Sequence, residues 1–188
     1  MTVSSVKTGE LSLSFALNNN YMEPIATTLL SSTASGITFS DIPQNYKHLQ
    51  LRVMARSANG ADTDYCNIQF NSDVASNYAQ HRITANGSSV SAGADPNITR
   101  CIAQRLSSDV NSANIFGALI FDIIDYNNAN KFKTTRHLGA YDANGSGFLE
   151  FGSNLWQSTI PISSIFIYSQ TGSGFKQYSR FSLYGIKG

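Results

Sequence analysis

The stretch SRFSLYGIKG, residues 179–188, alternates apolar and polar side chains at every second position. Phe181 and Leu183 point to one side of an extended chain, whereas Ser182 and Tyr184 point to the other. A period of two is the mark of a β-strand with one buried face. The stretch therefore predicts a strand that closes a β-rich fold.

Upstream of this strand, short segments with the same alternation are separated by turn residues such as Asn86-Gly87 and Asn144-Gly145. No segment shows a convincing amphipathic helical pattern. About ten short strands at regular spacing predict an all-β fold, an antiparallel two-sheet β-sandwich of jelly-roll type over residues 21–188. The predicted segments are residues 36–39, 49–53, 66–70, 78–84, 98–106, 115–124, 132–141, 148–151 and 165–168, followed by the closing strand.

The first twenty residues differ from the rest and predict an extended N-terminal arm over residues 1–20. Apolar residues alternate weakly there and stop at the polar run of residues 18–20. Such an arm is either an extra edge strand or a segment that docks onto a neighbouring subunit. The predicted partner contacts are Val6, Leu11, Leu13 and Phe15.

Charge is low and balanced, with 13 basic and 12 acidic residues and a formal net charge of +1. The basic residues are scattered, so the sequence predicts neither a nucleic-acid partner nor a membrane partner. No apolar run approaches the roughly 18 residues of a membrane span, and the N-terminus lacks the pattern of a signal peptide. We expect the chain to be made in the cytoplasm. Its weakly charged surface is typical of subunits in large assemblies.

Metal binding is not predicted. His48, His81 and His137 fall in three different predicted strands without the close spacing of metal ligands, so surface or interface positions are favoured. Cys66 and Cys101 also lack metal-site spacing and are expected to be small buried hydrophobes. Their pairing in a disulfide stays open.

Catalysis and cofactor binding are not predicted either, and the expectation is that the chain is not an enzyme. Asp122 and Asp125 lie three residues apart on a strand, on opposite faces, which does not suit paired carboxylates. Residues 142–147, DANGSG, begin like a calcium loop. The twelfth position is Ser153, which cannot supply the required bidentate carboxylate. A tight turn accounts for the segment.

Aromatic residues make up 11% of the chain, and several lie near predicted loops. Tyr65, Tyr141 and Trp156 are candidate contacts for stacking on a glycan. In a β-sandwich most large aromatic side chains belong to the core or to a subunit interface, which is the alternative interpretation.

Several segments, in a fixed order, resemble a family of virion structural proteins of tailed phages that is abundant in cyanophages and other marine phages. The segments include GITFSDIP at residues 36–43, YKHLQLR at 46–52, FDIIDY at 121–126, NGSG at 144–147 and the closing FSLYGIKG at 181–188. The resemblance covers nearly the whole chain, arm included. It implies a β-sandwich displayed on the exterior of the particle, as a capsid decoration protein or a tail appendage.

The sequence thus predicts a capsid decoration, or cement, protein. Its arm is expected to pair with the major capsid protein or another virion subunit, and its sandwich faces are expected to associate as a homotrimer. The alternative is a tail fibre or receptor-binding module that recognises a host-surface glycan.

Overall fold

The structure, a computed structural model, describes residues 21–61 and 64–188, which contain twelve β-strands and no helix. The residues predicted as arm contacts, Val6, Leu11, Leu13 and Phe15, lie outside the described residues. The strands are β1 (Met22–Leu29), β2 (Gly36–Phe39), β3 (His48–Ala55), β4 (Asp64–Phe70), β5 (Tyr78–Ala85), β6 (Val90–Ile98), β7 (Cys101–Leu106), β8 (Gly117–Ile123), β9 (Lys133–Asp142), β10 (Gly147–Trp156), β11 (Ile165–Ser169) and β12 (Arg180–Ile186).

The strands form two antiparallel sheets, which confirms the predicted all-β sandwich. The large sheet has eight strands in the order β1-β12-β3-β8-β9-β10-β5-β6, and the small sheet has four in the order β2-β11-β4-β7. Four neighbouring strands of the large sheet, β1-β12-β3-β8, and the four strands of the small sheet have the strand order of a jelly roll. In this fold the chain crosses repeatedly from one sheet to the other and forms two Greek keys. The hairpins β5–β6 and β9–β10 are insertions that lengthen the large sheet.

The core between the sheets is apolar where jelly-roll strands face each other. On β3, the odd-numbered residues Leu49, Leu51 and Val53 point inward and the even-numbered ones outward. Phe121 on β8 and Ile68 on β4 complete the same cluster. Burying such side chains contributes about 1.5–3 kcal/mol each.

The closing strand is confirmed as a strand, and it lies inside the large sheet rather than at its edge. β12 pairs with β1 on one side and with β3 on the other. Phe181 and Leu183 are fully buried. The predicted antiparallel pairing of residues 115–124 with 132–141 is also confirmed, as the β8–β9 pair.

Two strands escaped prediction, and one predicted strand is divided. β6 carries Gly93 and Pro96 and is largely exposed, so it shows neither strand propensity nor alternation. β1 is likewise only partly buried. The segment 98–106, predicted as one strand, contains the end of β6 and all of β7, with a bend at residues 99–100 between them.

Candidate functional site

The inner face of β10 meets an edge of the small sheet. β7 is the last strand of that sheet, so one side of its backbone has no neighbouring strand. The N–H of Ile102 donates to Asn154 Oδ1 at 3.2 Å, and the N–H of Arg105 donates to Glu150 Oε2 at 3.2 Å. Because buried backbone groups need partners, these two polar side chains seal the edge of β7.

Other polar side chains continue this buried layer beneath the inserted strands. Gln104 on β7 lies against Gly139 of β9, where an added Cβ would stand 1.9 Å from Gln104 Oε1. His137 is 2% exposed and stacks on Phe121, with the ring centroids 6.0 Å apart. Thr135 is fully buried beside them on β9. The layer is therefore densely packed as well as polar.

Burial changes the pKa of two groups in this layer, His137 and Glu150, and in both cases it favours the neutral form. It lowers the pKa of His137 to about 4. It raises the pKa of the Glu150 carboxyl, although the hydrogen bond from the Arg105 backbone opposes the shift. Both residues are therefore more easily held neutral inside the fold than in an unfolded chain.

The outer face of the large sheet is, by contrast, apolar over much of its width. The strand register aligns outward side chains into two rows, called here the apolar rows, that cross all eight strands. The first row is Thr27, Ser182, Arg52, Ile120, Leu138, Phe151, Ile83 and Ala92. The second row is Leu29, Arg180, Met54, Ala118, Ala140, Leu149, Ala85 and Val90.

Eight of the fifteen large hydrophobic side chains that are exposed in the described residues lie on these two rows, each 43–72% exposed. Scattered exposed hydrophobics are ordinary, whereas a continuous patch marks an interaction surface. A depression of about 590 Å³ lies between the two rows and is lined by residues of both, among them Ala118 and Ala140. Another, of about 510 Å³, lies beside Ile83 and Phe151.

A polar row borders the apolar rows on one side. It consists of Gln50, Asp122, Arg136, Ser153 and His81, which are register partners on neighbouring strands. Asp122 accepts hydrogen bonds from Gln50 Nε2 at 2.8 Å and from Arg136 Nε at 2.9 Å. An apolar centre with a polar border is the usual composition of a protein–protein interface.

The histidines occupy three different environments. His48 is partly exposed and its Nδ1 accepts a hydrogen bond from the Asp125 backbone, and His81 is exposed on the polar row. For His137 the predicted surface position is wrong, because it faces the buried polar layer. Within residues 21–61 and 64–188, no three His, Cys, Asp or Glu side chains are grouped as a metal site would require.

The two cysteines are free thiols, and their predicted burial is confirmed. Cys66 on β4 and Cys101 on β7 are both fully buried, and burial raises the pKa of each thiol. Raised thiol pKa values leave little of the reactive thiolate form at neutral pH.

Both acidic candidates take part in contacts within the fold. Asp122 lies in the polar row, whereas Asp125 lies in a turn and forms ion pairs with Lys47 and Lys131. The DANGSG segment is a tight turn, in which Asp142 Oδ1 accepts from the N–H of Asn144 at 2.7 Å. Asn144 and Gly145 have φ of 62° and 99°, which such a turn requires.

Two of the three rings predicted to contact a glycan are buried, and the prediction is wrong for them. Trp156 is 1% exposed, and its Nε1–H donates to Asp73 Oδ2 at 2.7 Å. Tyr141 is 7% exposed and packs against Phe148 at 5.9 Å between centroids. Both lie on inward-facing positions, where their rings fill the core.

The third ring, Tyr65, is partly exposed and belongs to a stack that the sequence did not predict. The Arg105 guanidinium lies 5.2 Å from the centroid of the Tyr65 ring and 4.2 Å from that of Phe148. Arg105 and Tyr65 are register partners on β7 and β4, so only knowledge of the pairing could have joined them. The guanidinium covers one face of the Tyr65 ring, so a sugar cannot stack on that face.

No known protein family matches this chain, and no curated protein matches it. Among solved structures, the crystal structure of a protein of unknown function from Shewanella oneidensis MR-1 aligns over 98% of this chain and 97% of its own. The identity is 7% and the TM-score is 0.20, so this similarity carries no argument about fold or function. In the described part of the chain, no helix is long and apolar enough to cross a bilayer.

Proposed function

We propose that this chain is a structural subunit of a tailed-phage particle, namely a capsid decoration protein on the particle exterior. The observation that carries the proposal is the continuous apolar surface on the large sheet, with eight exposed large hydrophobic side chains in two rows. A surface of this kind suits a protein that is built into an assembly. The jelly roll is also a fold that capsid proteins use.

The N-terminal arm is the proposed attachment to the particle. It joins the domain at Tyr21, whose carbonyl accepts a hydrogen bond from the Lys187 backbone at the start of β1. β1 is an edge strand of the large sheet, so the arm begins at the side of the domain. Leu11, Leu13 and Phe15 alternate with small residues and would present one apolar side to the major capsid protein or another virion subunit.

The test is deletion of residues 1–20 from the protein of intact particles. We expect the truncated chain to keep its circular dichroism spectrum and to be lost from purified particles. A full-length variant with Leu11, Leu13 and Phe15 replaced by serine keeps the length of the arm and should be lost as well. Full occupancy of either variant on particles, measured by quantitative mass spectrometry, contradicts the proposal.

Glycan recognition by a tail fibre or receptor-binding module is the alternative, and the geometry supports it less. Trp156 and Tyr141 are unavailable to a sugar, which leaves Tyr65 beside Arg105. Binding on a glycan array that is abolished by Tyr65→Ala in a folded protein would favour this alternative. Self-association as a homotrimer also stays a prediction.

A further inference from the structure

The middle of the inserted strands β9 and β10 carries exposed apolar side chains on the side that faces away from the small sheet, whereas Tyr141 and Trp156 near the strand ends face inward. On β10 the inward residues include Glu150 and Asn154, whereas Leu149 and Phe151 point outward and are 52% and 55% exposed. On β9, His137 is buried and Leu138 is 50% exposed. A sheet with one solvated face shows the opposite arrangement, with apolar residues inside and polar residues outside.

The inward positions of Glu150 and Asn154 have a reason, because these two side chains seal the edge of β7. Within the described residues, no other segment of the chain covers the outward apolar side chains. Eight apolar side chains on this face are about half exposed, and their contact with water is unfavourable. Such a face is expected to be covered by another layer of protein. Apolar side chains on the outer face of these strands are expected if a second layer of protein covers that face.

We infer that this second layer is the same face of a second copy of the chain. The inference adds to the proposed function by naming the occupant of the apolar rows. The rows run across the strands, so placing row against row aligns the strands of the two copies. Aligned packing within about 30° is how two twisted sheets normally stack, and identical sheets have identical twist.

The shape of the face suits a copy of itself. On β8, β9 and β5 the first row carries the large residues Ile120, Leu138 and Ile83. The second row has alanine at the matching positions of the same strands. On these strands a ridge therefore lies beside a trough, which Leu149 of β10 interrupts between β9 and β5. A two-fold axis along the rows seats the ridge of each copy in the trough of the other and places Leu149 against Phe151 of the other copy.

The available area is close to that of a stable interface. Eight strands at about 4.8 Å spacing span about 34 Å, and the two apolar rows with the polar row span about 20 Å along the strands. The product is about 700 Å² per copy, which approaches the approximately 800 Å² per partner of a stable interface. This flat estimate leaves out the additional area of protruding side chains.

Charge within the apolar rows is grouped toward one end of the contact. In the apolar rows the two charged residues are Arg52 and Arg180, on the neighbouring strands β3 and β12. Arg52 donates to Gln50 Oε1 at 2.9 Å and lies 5.3 Å from the centroid of the Tyr184 ring. The pair lies on the second and third of the eight strands, toward the β1 end of the rows. A two-fold contact joins two copies, and a trimer would need another contact surface.

The experiment measures the mass of the isolated full-length protein by sedimentation equilibrium at micromolar concentration. We expect twice the chain mass for the natural sequence and a single chain mass for Leu138→Glu/Phe151→Glu. The association constant should fall by at least about 100-fold, since two carboxylates per copy would be buried without a partner against the second row of the other copy. Val110→Glu/Ile160→Glu is the matched control, because both residues are exposed and lie off the apolar rows; it should remain dimeric.

A second variant, Ala140→Glu in the trough, should dissociate the dimer in the same way, and circular dichroism verifies that each variant is folded. A monomeric natural protein overturns the inference, as does a dimer that survives all substitutions in the rows. A dimer that dissociates only when residues 1–20 are deleted identifies the arm as the occupant and also overturns it. Because the measurement needs no particle, it can fail independently of the incorporation experiment.

Discussion

β8 and β10 belong to the same sheet and use their inner faces in opposite ways. β8 turns Leu119, Phe121 and Ile123 inward, toward the face of the small sheet. β10 turns Glu150 and Asn154 inward, toward the edge strand β7. The difference shows that the surface opposite a strand determines which inward side chains are suitable. Opposite a sheet face the side chains are apolar, whereas opposite a sheet edge they supply hydrogen-bond partners for the backbone.

The largest expected effect separates the inner and outer faces of β10 itself. Trp156→Ala should lower the free energy of unfolding by about 3–5 kcal/mol, since it removes a buried indole that packs on Tyr78 and bonds Asp73. Phe151→Ala, on the outer face, should change it by less than about 0.5 kcal/mol in protein dilute enough to be monomeric. Urea unfolding measures both, and equal losses would remove the distinction between the faces.

The next largest effect is the loss of stability at acidic pH that the buried His137 causes. His137 has a pKa of about 4 in the fold and about 6.5 when unfolded. Between these values the unfolded chain binds more protons, so the stabilisation is complete above pH 6.5 and is lost as pH falls toward 4. The full loss is about 3 kcal/mol.

His137→Gln should remove this part of the acid sensitivity, measured as the change in unfolding free energy between pH 7 and pH 4. His81→Gln, on the exposed face, is the control for loss of a histidine. Parallel pH profiles for the natural protein and His137→Gln would contradict the role given to burial.

The smallest effect concerns the seal on β7. Asn154→Ala leaves the partly buried N–H of Ile102 without its acceptor and should lower the free energy of unfolding by about 1–3 kcal/mol. Ser153→Ala, one residue away on the outer face, should cost less than about 0.5 kcal/mol. If hydrogen exchange at the Ile102 amide is unchanged in Asn154→Ala, the side chain does not protect the edge as described.

The alternation of side chains was enough to predict the class of fold and most of its strands. β3, β8, β9 and β12 alternate clearly, and each was located. The pattern says which residues share a face, yet it does not say which face turns inward. For β9 and β10 that depends on the edge of β7, which comes from a distant part of the sequence.

The same limit explains the errors at the candidate sites. Trp156 and Tyr141 follow or precede turns, which suggested exposure, and their register places them inside. His137 resembles His81 in sequence context, although the two side chains lie on opposite faces of the large sheet. The apolar rows could not be recognised without the register, because each strand contributes only one or two of their residues.

The pairing of β1 with β12 has a kinetic consequence. The side-chain hydrogen bond from Thr27 to Ser182, at 3.0 Å, joins residues 155 positions apart. Contacts this distant require a large loop to close before they contribute, so folding belongs to the slow, millisecond-to-second class of β-proteins. During that interval β1 of one chain can pair with β12 of another, and exchange of strands between copies becomes a competing route at high concentration.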